Sequence, residues 1–364
     1  MLVLDANATE PLRPEARAAA IAALELAGNP SSVHAEGRRA RRLLEDCRER
    51  VARRLGGGAG DLVFTSGGTE ANALAIRGLA SDRRVLVGAT EHICVIQAAG
   101  EARPLPVLGD GRLDVAALDA ALAAGGPALV TLMAANNETG VLHPLAEAAA
   151  ICRRHGALLH VDAVQAAGRV PVSLDALGAD SLAVSGHKLG GPKGAGALLL
   201  RPGLHLSPVI RGGGQERGRR GGTEPLPAIA GLAAAIDAAR PGAAARLAPL
   251  RDALEAGVAA IAPEVQFPGR EAPRLPNTTS ILLPGVPAET QVIALDLAGV
   301  CVSAGAACSS GKVAHSHVLE AMGFGEGAGC AIRVSLPWNA TEAVVEPFVA
   351  AWAAMRARLS RRAA

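Results

Sequence analysis

The sequence predicts an α/β fold, with a large domain built on a mostly parallel sheet and a smaller α+β domain beside it. From residue 61 onward, short apolar runs alternate with helical patterns, which is typical of a parallel sheet covered by helices on both faces. Near Arg240 this alternation gives way to a helix and more widely separated strands. A chain of 364 residues is long enough for both domains. We therefore predict a large domain over residues 13–242 and a small domain combining residues 1–12 with residues 243–364.

The N-terminal residues 4–11 are predicted to form a short strand and a turn, and an apolar stripe predicts a helix over residues 14–26. A second helix, whose alternating charges indicate a solvated face, is predicted over residues 35–55. In the large domain, strands are predicted at residues 62–65, 85–87, 129–133, 157–161, 182–184 and 197–200, and helices at residues 70–79, 115–123 and 145–155. In the small domain, a helix at residues 243–261 precedes strands at residues 279–283, 301–303 and 332–335, to which the N-terminal strand is expected to return.

The composition indicates an α/β enzyme built from small side chains. Half of the residues are hydrophobic, 2% are aromatic and none is tyrosine. A net charge of +2 gives no reason to expect nucleic acid or an anionic membrane as a partner. No apolar run approaches the length that spans a bilayer, and the N-terminus has neither the basic nor the apolar region of a signal peptide.

The cysteines are scattered and suggest neither a metal site nor a disulfide framework. They include no CxxC pair and no zinc-ligand spacing, so we predict no metal site. Scattered thiols in a chain without an export signal are normally reduced, and we therefore expect a cytoplasmic location. The positions are Cys47, Cys94, Cys152, Cys301, Cys308 and Cys330.

Lys188 follows an apolar run, in a stretch of small residues at 185–194. A side chain at the end of a buried strand lies at the carboxyl edge of the sheet, where open α/β folds bind ligands. A lone lysine in such a loop would be an ordinary surface residue, but two other strand ends supply matching groups. Asp162 ends one apolar run, and Gly68 and Thr69 follow another. Together they predict an amine, a carboxylate and an anion cradle along one sheet edge.

The anion cradle is predicted from the sequence Thr-Ser-Gly-Gly-Thr-Glu at residues 65–70. The glycines allow close approach, and free N–H groups at a helix start bind a phosphate without help from a cation. The alternative is a capping turn in which Thr69 satisfies the helix N-terminus. A carboxylate such as Asp162, at the end of an apolar strand, is either paired or functional, because burying it alone is costly. Beside a lysine-bound cofactor it would keep a pyridine nitrogen protonated, and Gln165 could donate to the ring oxygen.

Two more candidates lie in loops. His92 follows another strand end, where it either caps a helix or stacks on a flat cofactor ring. Cys308 lies among small residues, which indicates an exposed loop. Nearby Lys312 would favour the nucleophilic thiolate, and the alternative is a structural cysteine.

The Gly/Arg-rich segment 211–223 has no aromatic residues on which bases could stack, so we predict a loop over an active site rather than an RNA-binding segment.

Taken in order, these motifs resemble those of cysteine desulfurases of the NifS/IscS type, in the class V aminotransferase family of pyridoxal 5′-phosphate (PLP) enzymes. The resemblance implies the PLP-dependent transferase fold type I (aspartate aminotransferase-like), with a mostly parallel seven-stranded sheet in the large domain. It runs nearly end to end, through residues 4–9, TSGGTEAN at 65–72, TEH at 90–92, NNETG at 136–140, HVDAVQ at 160–165, SGHKLGGPKG at 185–194, GGGQERGRRGGT at 212–223, SAGAACSSGK at 303–312, SHVLEAMG at 316–323 and IRVSL at 332–336.

The resemblance implies a role for each matching residue. Lys188 would hold PLP as a Schiff base and move protons, and His92 would stack on the ring and act in acid–base steps. Asp162 would pair with the pyridine nitrogen and Gln165 would bond the phenolic oxygen. The other cofactor contacts would come from Asn137, at the cofactor oxygen or the substrate, and from Gly68, Thr69, Ser185, His187 and, across a homodimer interface, Thr223 at the phosphate.

For the substrate, the resemblance implies that Arg333 clamps the carboxylate of L-cysteine in the bidentate geometry that suits arginine, with Asn7 and Asn137 assisting. Cys308 would attack the sulfur, leaving L-alanine and a persulfide. A sulfur-acceptor protein, such as an iron–sulfur scaffold, would then take the sulfur, and tRNA or cofactor thiolation stays open. Gly221 stands where a serine is common, and Ala306 likewise replaces a serine in the cysteine motif.

Two rival interpretations stay open, the second of them from another functional class. One is a related PLP enzyme, such as a selenocysteine lyase or an aminotransferase, although a plain aminotransferase needs no thiol at Cys308. The other is a non-catalytic protein that relays or scaffolds sulfur, which would not need Lys188, Asp162 and His92 together.

Overall fold

The computed structural model describes residues 1–305 and 315–363, with side chains described as far as residue 359. The strands are β1 (Leu2–Val3), β2 (Leu62–Thr65), β3 (Arg84–Gly88), β4 (Arg103–Leu105), β5 (Ala128–Met133), β6 (Leu158–Asp162), β7 (Ser181–Ser185), β8 (Gly196–Leu200), β9 (Thr278–Leu282), β10 (Val300–Cys301), β11 (Ser303–Ala304) and β12 (Ala331–Ser335). The helices are α1 (Pro14–Leu24), α2 (Ala35–Arg54), α3 (Gly68–Leu79), α4 (Ile93–Ala99), α5 (Val115–Ala123), α6 (Leu145–Arg154), α7 (Leu174–Leu177), α8 (Leu226–Ala238), α9 (Pro241–Ala244), α10 (Leu247–Ile261), α11 (Ala288–Leu297), α12 (His317–Ala321) and α13 (Val345–Ala363).

The largest sheet confirms the predicted fold class. It has seven strands in the order β2-β8-β7-β6-β5-β3-β4, and the pairs from β7 through β4 are parallel. Strand β8 runs antiparallel to both of its neighbours. A parallel return needs a crossover of about a dozen residues or more, and residues 186–195 between β7 and β8 are too few for one. Strand β4 is an edge strand that the sequence analysis did not predict.

The core of this sheet is apolar on both faces, as a sheet covered by helices requires. Every residue of β2, β5, β7 and β8 is buried. Helix α8 is largely buried and packs against α1 and α2. At Gly231 of α8 an added Cβ would lie 2.4 Å from the ring of Pro192, so this helix presses directly on the turn that follows Lys188.

The N-terminal strand returns to the C-terminal part of the chain, as expected. Strand β1 pairs in parallel with β10, while β9, β12 and β11 form a separate antiparallel sheet. A second apolar core, which includes Leu4, Leu254, Phe348 and Trp352, packs here. The domain boundaries at residues 12/13 and 242/243 stay a prediction. Within the described residues, no helix combines the length and the apolar character that crossing a membrane would need.

Two element predictions were wrong in detail. The helix predicted over residues 243–261 is broken into α9 and α10 between Ala244 and Leu247. Pro249 explains the break, because its ring would clash with the carbonyl of Ala245 and it has no N–H to donate there. The strand predicted over residues 301–303 is divided at Val302 into β10 and β11, which belong to different sheets.

The Gly/Arg-rich segment 211–223 is anchored to the large sheet by a buried ion pair. Arg48 of α2 donates to both carboxylate oxygens of Glu216, at 2.6 and 2.7 Å, and Glu216 also accepts the N–H of Phe64 at 2.9 Å. Both charged side chains are almost fully buried. Glu216 and Arg217 adopt positive φ angles of 49° and 57°, so this contact holds the segment in a conformation that non-glycine residues rarely adopt.

We expect Glu216→Ala to destabilise the protein by about 3–5 kcal/mol, because it leaves the buried Arg48 charge without its partner. The control is Glu36→Ala, which removes an exposed ion pair with Arg39 worth at most about 1 kcal/mol. Urea denaturation of the two variants measures the difference. If Glu216→Ala lowers the free energy of unfolding no more than Glu36→Ala does, the stabilising role of the buried ion pair is contradicted.

Candidate active site

The carboxyl ends of β2, β3, β5, β6 and β7 lie at one edge of the large sheet, as the strand pairing dictates. A cavity of about 230 Å³ opens at this edge. Its wall brings together most of the predicted cofactor residues. The lining residues are Gly68, Thr69, Asn72, His92, Cys94, Met133, Ala135, Asn137, Asp162, Val164, Gln165, Ser185, His187 and Lys188.

Asp162 is a buried carboxylate held by two hydrogen bonds. Its Oδ2 accepts from the Nδ2 of Asn72 at 2.7 Å, and its Oδ1 accepts from the N–H of Val164 at 2.9 Å. Burial raises the pKa of Asp162, while these hydrogen bonds and the nearby Lys188 ammonium act in the opposite direction. The carboxylate is therefore a costly charge that a cation in the cavity would stabilise.

Behind Asp162 a neutral hydrogen-bonded chain continues into the sheet. The Oδ1 of Asn72 is 2.9 Å from Nε2 of His160, and Nδ1 of His160 is 2.8 Å from the hydroxyl of Ser181. Burial lowers the pKa of His160 to about 3, so the ring is neutral. Because Asn72 donates its N–H₂ to Asp162, its oxygen accepts from Nε2–H of His160, and Ser181 donates to Nδ1.

The anion cradle is predicted at the start of α3, whose N-cap residue is Gly67. Gly67 has no side chain with which to cap the helix, and the first helical residues, Gly68 and Thr69, line the cavity. The hydroxyl of Ser185 is buried and has no hydrogen-bond partner among the described residues. A Cβ at Gly68 would lie 3.4 Å from the Cβ of Ser185 and 2.7 Å from Val164, so a glycine is required for this close approach. His187 completes the wall and contacts Thr9, with Nδ1 3.1 Å from its hydroxyl oxygen.

His92 caps α4 and also lines the cavity, so the capping alternative is confirmed and stacking on a cofactor ring stays a prediction. Its Nδ1 accepts the N–H of Cys94 at the start of α4, at 3.2 Å. Burial, together with the charges of Lys188, His317 and Arg333, lowers the pKa of His92 to about 4. The ring is therefore neutral near pH 7 and carries its proton on Nε2.

Lys188 contacts the N-terminal segment of the chain. Its Nζ donates to the carbonyl oxygens of Asn7 and Ala8, the latter at 2.9 Å. The amide of Gln165 donates to the same Asn7 oxygen at 3.0 Å, and its Oε1 accepts from the buried guanidinium of Arg169. The main chain of Asn7 thus joins two of the predicted cofactor residues.

Arg333 lies beside the cavity rather than in its wall. It donates to Asp5 at 2.8 Å and to the carbonyl of Asn137 at 3.2 Å, while its buried Nε has no partner among the described residues. The side chain of Asn7 is also buried and donates to Asn137 and to Thr278, each at 3.0 Å. Substrate contacts of Arg333 and Asn7 stay predictions.

Of the remaining predicted residues, one lies away from this cavity and the other falls outside the described residues. Thr223 is exposed and does not line the cavity of its own chain. Cys308, with Lys312, lies outside the residues that the structure describes. Sequence reasoning missed Asn72, although its position three residues after Thr69 on α3 places both on one helix face. It also missed Cys94, a thiol in the cavity wall whose pKa burial raises to about 12.

Comparison with known proteins identifies the family. The family model "Aminotransferase class-V" matches residues 2–348. The chain is 45% identical over 358 residues to a cysteine desulfurase of Cereibacter sphaeroides, covering 94% of this chain and 92% of that protein. It is 37% identical over 368 residues to an IscS-like cysteine desulfurase of Mycobacterium tuberculosis, covering 95% and 94%. A NifS-like protein of Rickettsia africae has the same fold, with a TM-score of 0.90 and 35% identity over 98% of this chain and 99% of that one. The chain therefore belongs to the class V aminotransferase family, among its cysteine desulfurases of the NifS/IscS type.

Proposed function

We propose that this enzyme uses PLP to remove sulfur from L-cysteine, giving L-alanine and a persulfide on Cys308. The observation that carries the proposal is the single cavity in which Lys188, Asp162 and His92 meet an anion cradle. The rival interpretations are not favoured, because the similar proteins found are cysteine desulfurases and the cavity holds an amine and a carboxylate that a sulfur relay would not need.

The residues of the cavity fit PLP. Two groups suit a phosphate, with Gly68, Thr69 and His187 around them. One is the buried hydroxyl of Ser185, which has no partner in the described part of the chain, and the other is the start of α3, where the N-cap Gly67 has no side chain. At the other side, Asp162 suits a protonated pyridine nitrogen, Gln165 and Asn137 suit the ring oxygen, and Lys188 supplies the amine. When bound, PLP supplies the electron sink that lets bonds at the amino acid carbons break.

The protein's own groups then have distinct tasks. Asp162 keeps a negative charge next to the ring nitrogen, because Asn72 and Val164 hold its two oxygens in place. Lys188 moves protons, and neutral His92 packs on the ring and holds its proton at Nε2. Arg333, beside the cavity, would bind the substrate carboxylate; its Nε has no partner among the described residues.

Sulfur transfer is assigned to Cys308. Its thiolate attacks the sulfur of the bound cysteine, so that an S–S bond forms and the C–S bond breaks. The electron pair of the broken bond stays with the carbon, which takes up a proton and leaves as alanine. The buried thiols are unsuited to this task, because burial raises the pKa of Cys47 to about 11 and those of Cys94 and Cys152 to about 12.

We further propose a homodimer in which Thr223 of each chain completes the phosphate site of its partner. Its exposure in the single chain supports a role outside its own cavity. A sulfur-acceptor protein, in iron–sulfur assembly or in thiolation, would receive the persulfide sulfur. A reducing cytoplasm fits the described cysteines, which are all unpaired thiols.

The wild-type enzyme loaded with PLP is expected to convert L-cysteine to L-alanine and to carry an extra sulfur on the Cys308 peptide, measured by mass spectrometry. Cys308→Ala should retain PLP but lose at least about 100-fold in rate, because the sulfur nucleophile is gone. Cys330→Ala is the matched control and should retain activity. Retained desulfuration by the Cys308 variant would overturn the assignment.

We expect Asn72→Ala to weaken PLP binding by about 10- to 100-fold, because one oxygen of Asp162 loses its hydrogen bond and its carboxylate becomes harder to keep ionised. PLP affinity can be measured by absorbance titration of the apoprotein. The exposed Asn339→Ala serves as control. Equal affinity of the two variants would contradict the support assigned to Asn72.

Mixing Lys188→Ala and Thr223→Ala chains tests the shared site. If Thr223 acts across the dimer, a mixed dimer contains one wild-type site, and activity should rise above that of either variant alone. If Thr223 acts within its own chain, each site of the mixed dimer keeps one defect. The absence of complementation, in mixed dimers isolated by two affinity tags, would refute the shared site.

A further inference from the structure

Glu138 is a buried carboxyl that none of the roles above uses. It follows Asn137, which lines the cavity, and its own N–H donates to the side-chain oxygen of Asn136 at 2.9 Å. Its pKa is raised by burial, while the hydrogen bond from Ser316 and the positive charges of His317 and Arg333 act in the opposite direction. A carboxyl in this setting needs partners that justify its burial.

Those partners are the two ends of the segment that carries Cys308. The hydroxyl of Ser316 donates to Oε2 of Glu138 at 2.6 Å. On the other side, a Cβ added to Gly305 would lie 2.4 Å from the same oxygen, so the main chain at Gly305 packs directly against it. That Cβ position is also 3.8 Å from the Cβ of Ser316, so the two ends lie side by side on one carboxylate.

Each end is also tied to the fold on its far side. Ala304, immediately before Gly305, pairs with Ile332 in the small antiparallel sheet. Ser316 accepts the N–H of Leu319 at 3.1 Å and so caps α12, and His317 donates from Nε2 to the carbonyl of Glu91, at 2.9 Å, beside the cavity. Glu138 is therefore the point where the cavity wall, the sheet and α12 meet.

The short chain between Gly305 and Cys308 limits how far the thiol can lie from the Glu138 contact. Cys308 is three residues after Gly305, and a fully extended chain of three residues spans at most about 11 Å. The position of Gly305 therefore fixes the centre of the region that the sulfur can reach. A small displacement of a reacting group is enough to lower a rate by about 100-fold.

We propose that Glu138 is a positioning residue for sulfur transfer, whose carboxylate fixes both ends of the Cys308 segment against the cavity wall. The proposal rests on the proposed function, because the step it serves is the attack of Cys308 on the substrate sulfur. It assigns Glu138 no contact with PLP or substrate. Binding of an amino acid and transfer of its sulfur should consequently respond differently to its removal.

The experiment compares Glu138→Ala, Glu138→Gln and Ser316→Ala with an exposed control, Glu147→Ala. In single-turnover measurements, Glu138→Ala should form alanine and the Cys308 persulfide about 10- to 100-fold more slowly. The absorbance change on adding L-alanine to the PLP-loaded enzyme should stay within about twofold of wild type. The rate of sulfur transfer should fall less in Glu138→Gln, because the amide oxygen of the glutamine still accepts from Ser316. Ser316→Ala removes one contact and serves if Glu138→Ala does not fold.

Hydrogen exchange gives a readout that does not depend on activity. The amide of Leu319 should exchange faster in Glu138→Ala than in the control, because the hydroxyl that accepts its N–H loses its own anchor. Unchanged exchange, unchanged sulfur transfer, or an equal loss of amino-acid binding and sulfur transfer would each overturn the proposal. An inactive wild type with faster exchange in the variant would instead refute the proposed function and leave the anchor established.

Discussion

The rest of the site depends on one constraint, the burial of the Asp162 carboxylate. A charge away from water persists only when hydrogen bonds and an opposite charge compensate for its lost solvation. Here Asn72 and the N–H of Val164 supply the hydrogen bonds, and Lys188 is a nearby cation. The neutral chain from Asn72 to His160 carries this support into the sheet.

Sheet register decides whether that support exists. His160 and Asp162 are two residues apart on β6 and so face the same side of the sheet. His160 is the register partner of Ser181 on β7, whose hydroxyl fixes its tautomer. A slip of one residue between these strands would turn the side chains of one strand to the other face and leave Asp162 without its ordered partners. The fold and the charge in the cavity are therefore specified together.

Much of this could be predicted from sequence, because strand ends in a parallel sheet converge by geometry alone. Strand β2 matched the prediction, and Lys188, Asp162 and His92 lie around one cavity as expected. The hydrogen bond from Arg169 to Gln165 could not be predicted, because no periodic sequence pattern indicates that an arginine is buried. Pro249 is a visible signal for the break between α9 and α10, and the predicted helix over residues 243–261 does not take it into account. In the homodimer proposed above, the place of Thr223 would depend on a second chain, which the local patterns of one sequence do not describe.

The N-terminal segment that contacts Lys188 is synthesised first, but its own hydrogen-bond partners are among the last residues to be synthesised. Leu2, Leu4 and Ala6 donate to carbonyls of Gly299, Cys301 and Ser335, more than 290 residues further along the chain. During synthesis, the segment that contacts Lys188 therefore cannot form these hydrogen bonds until nearly the whole chain has been made. Since such long-range pairing is slow, we expect the surroundings of Lys188 to be completed late in folding, after the large sheet has formed. In a nascent or truncated chain, Lys188 would thus lack its contacts with the carbonyl oxygens of Asn7 and Ala8.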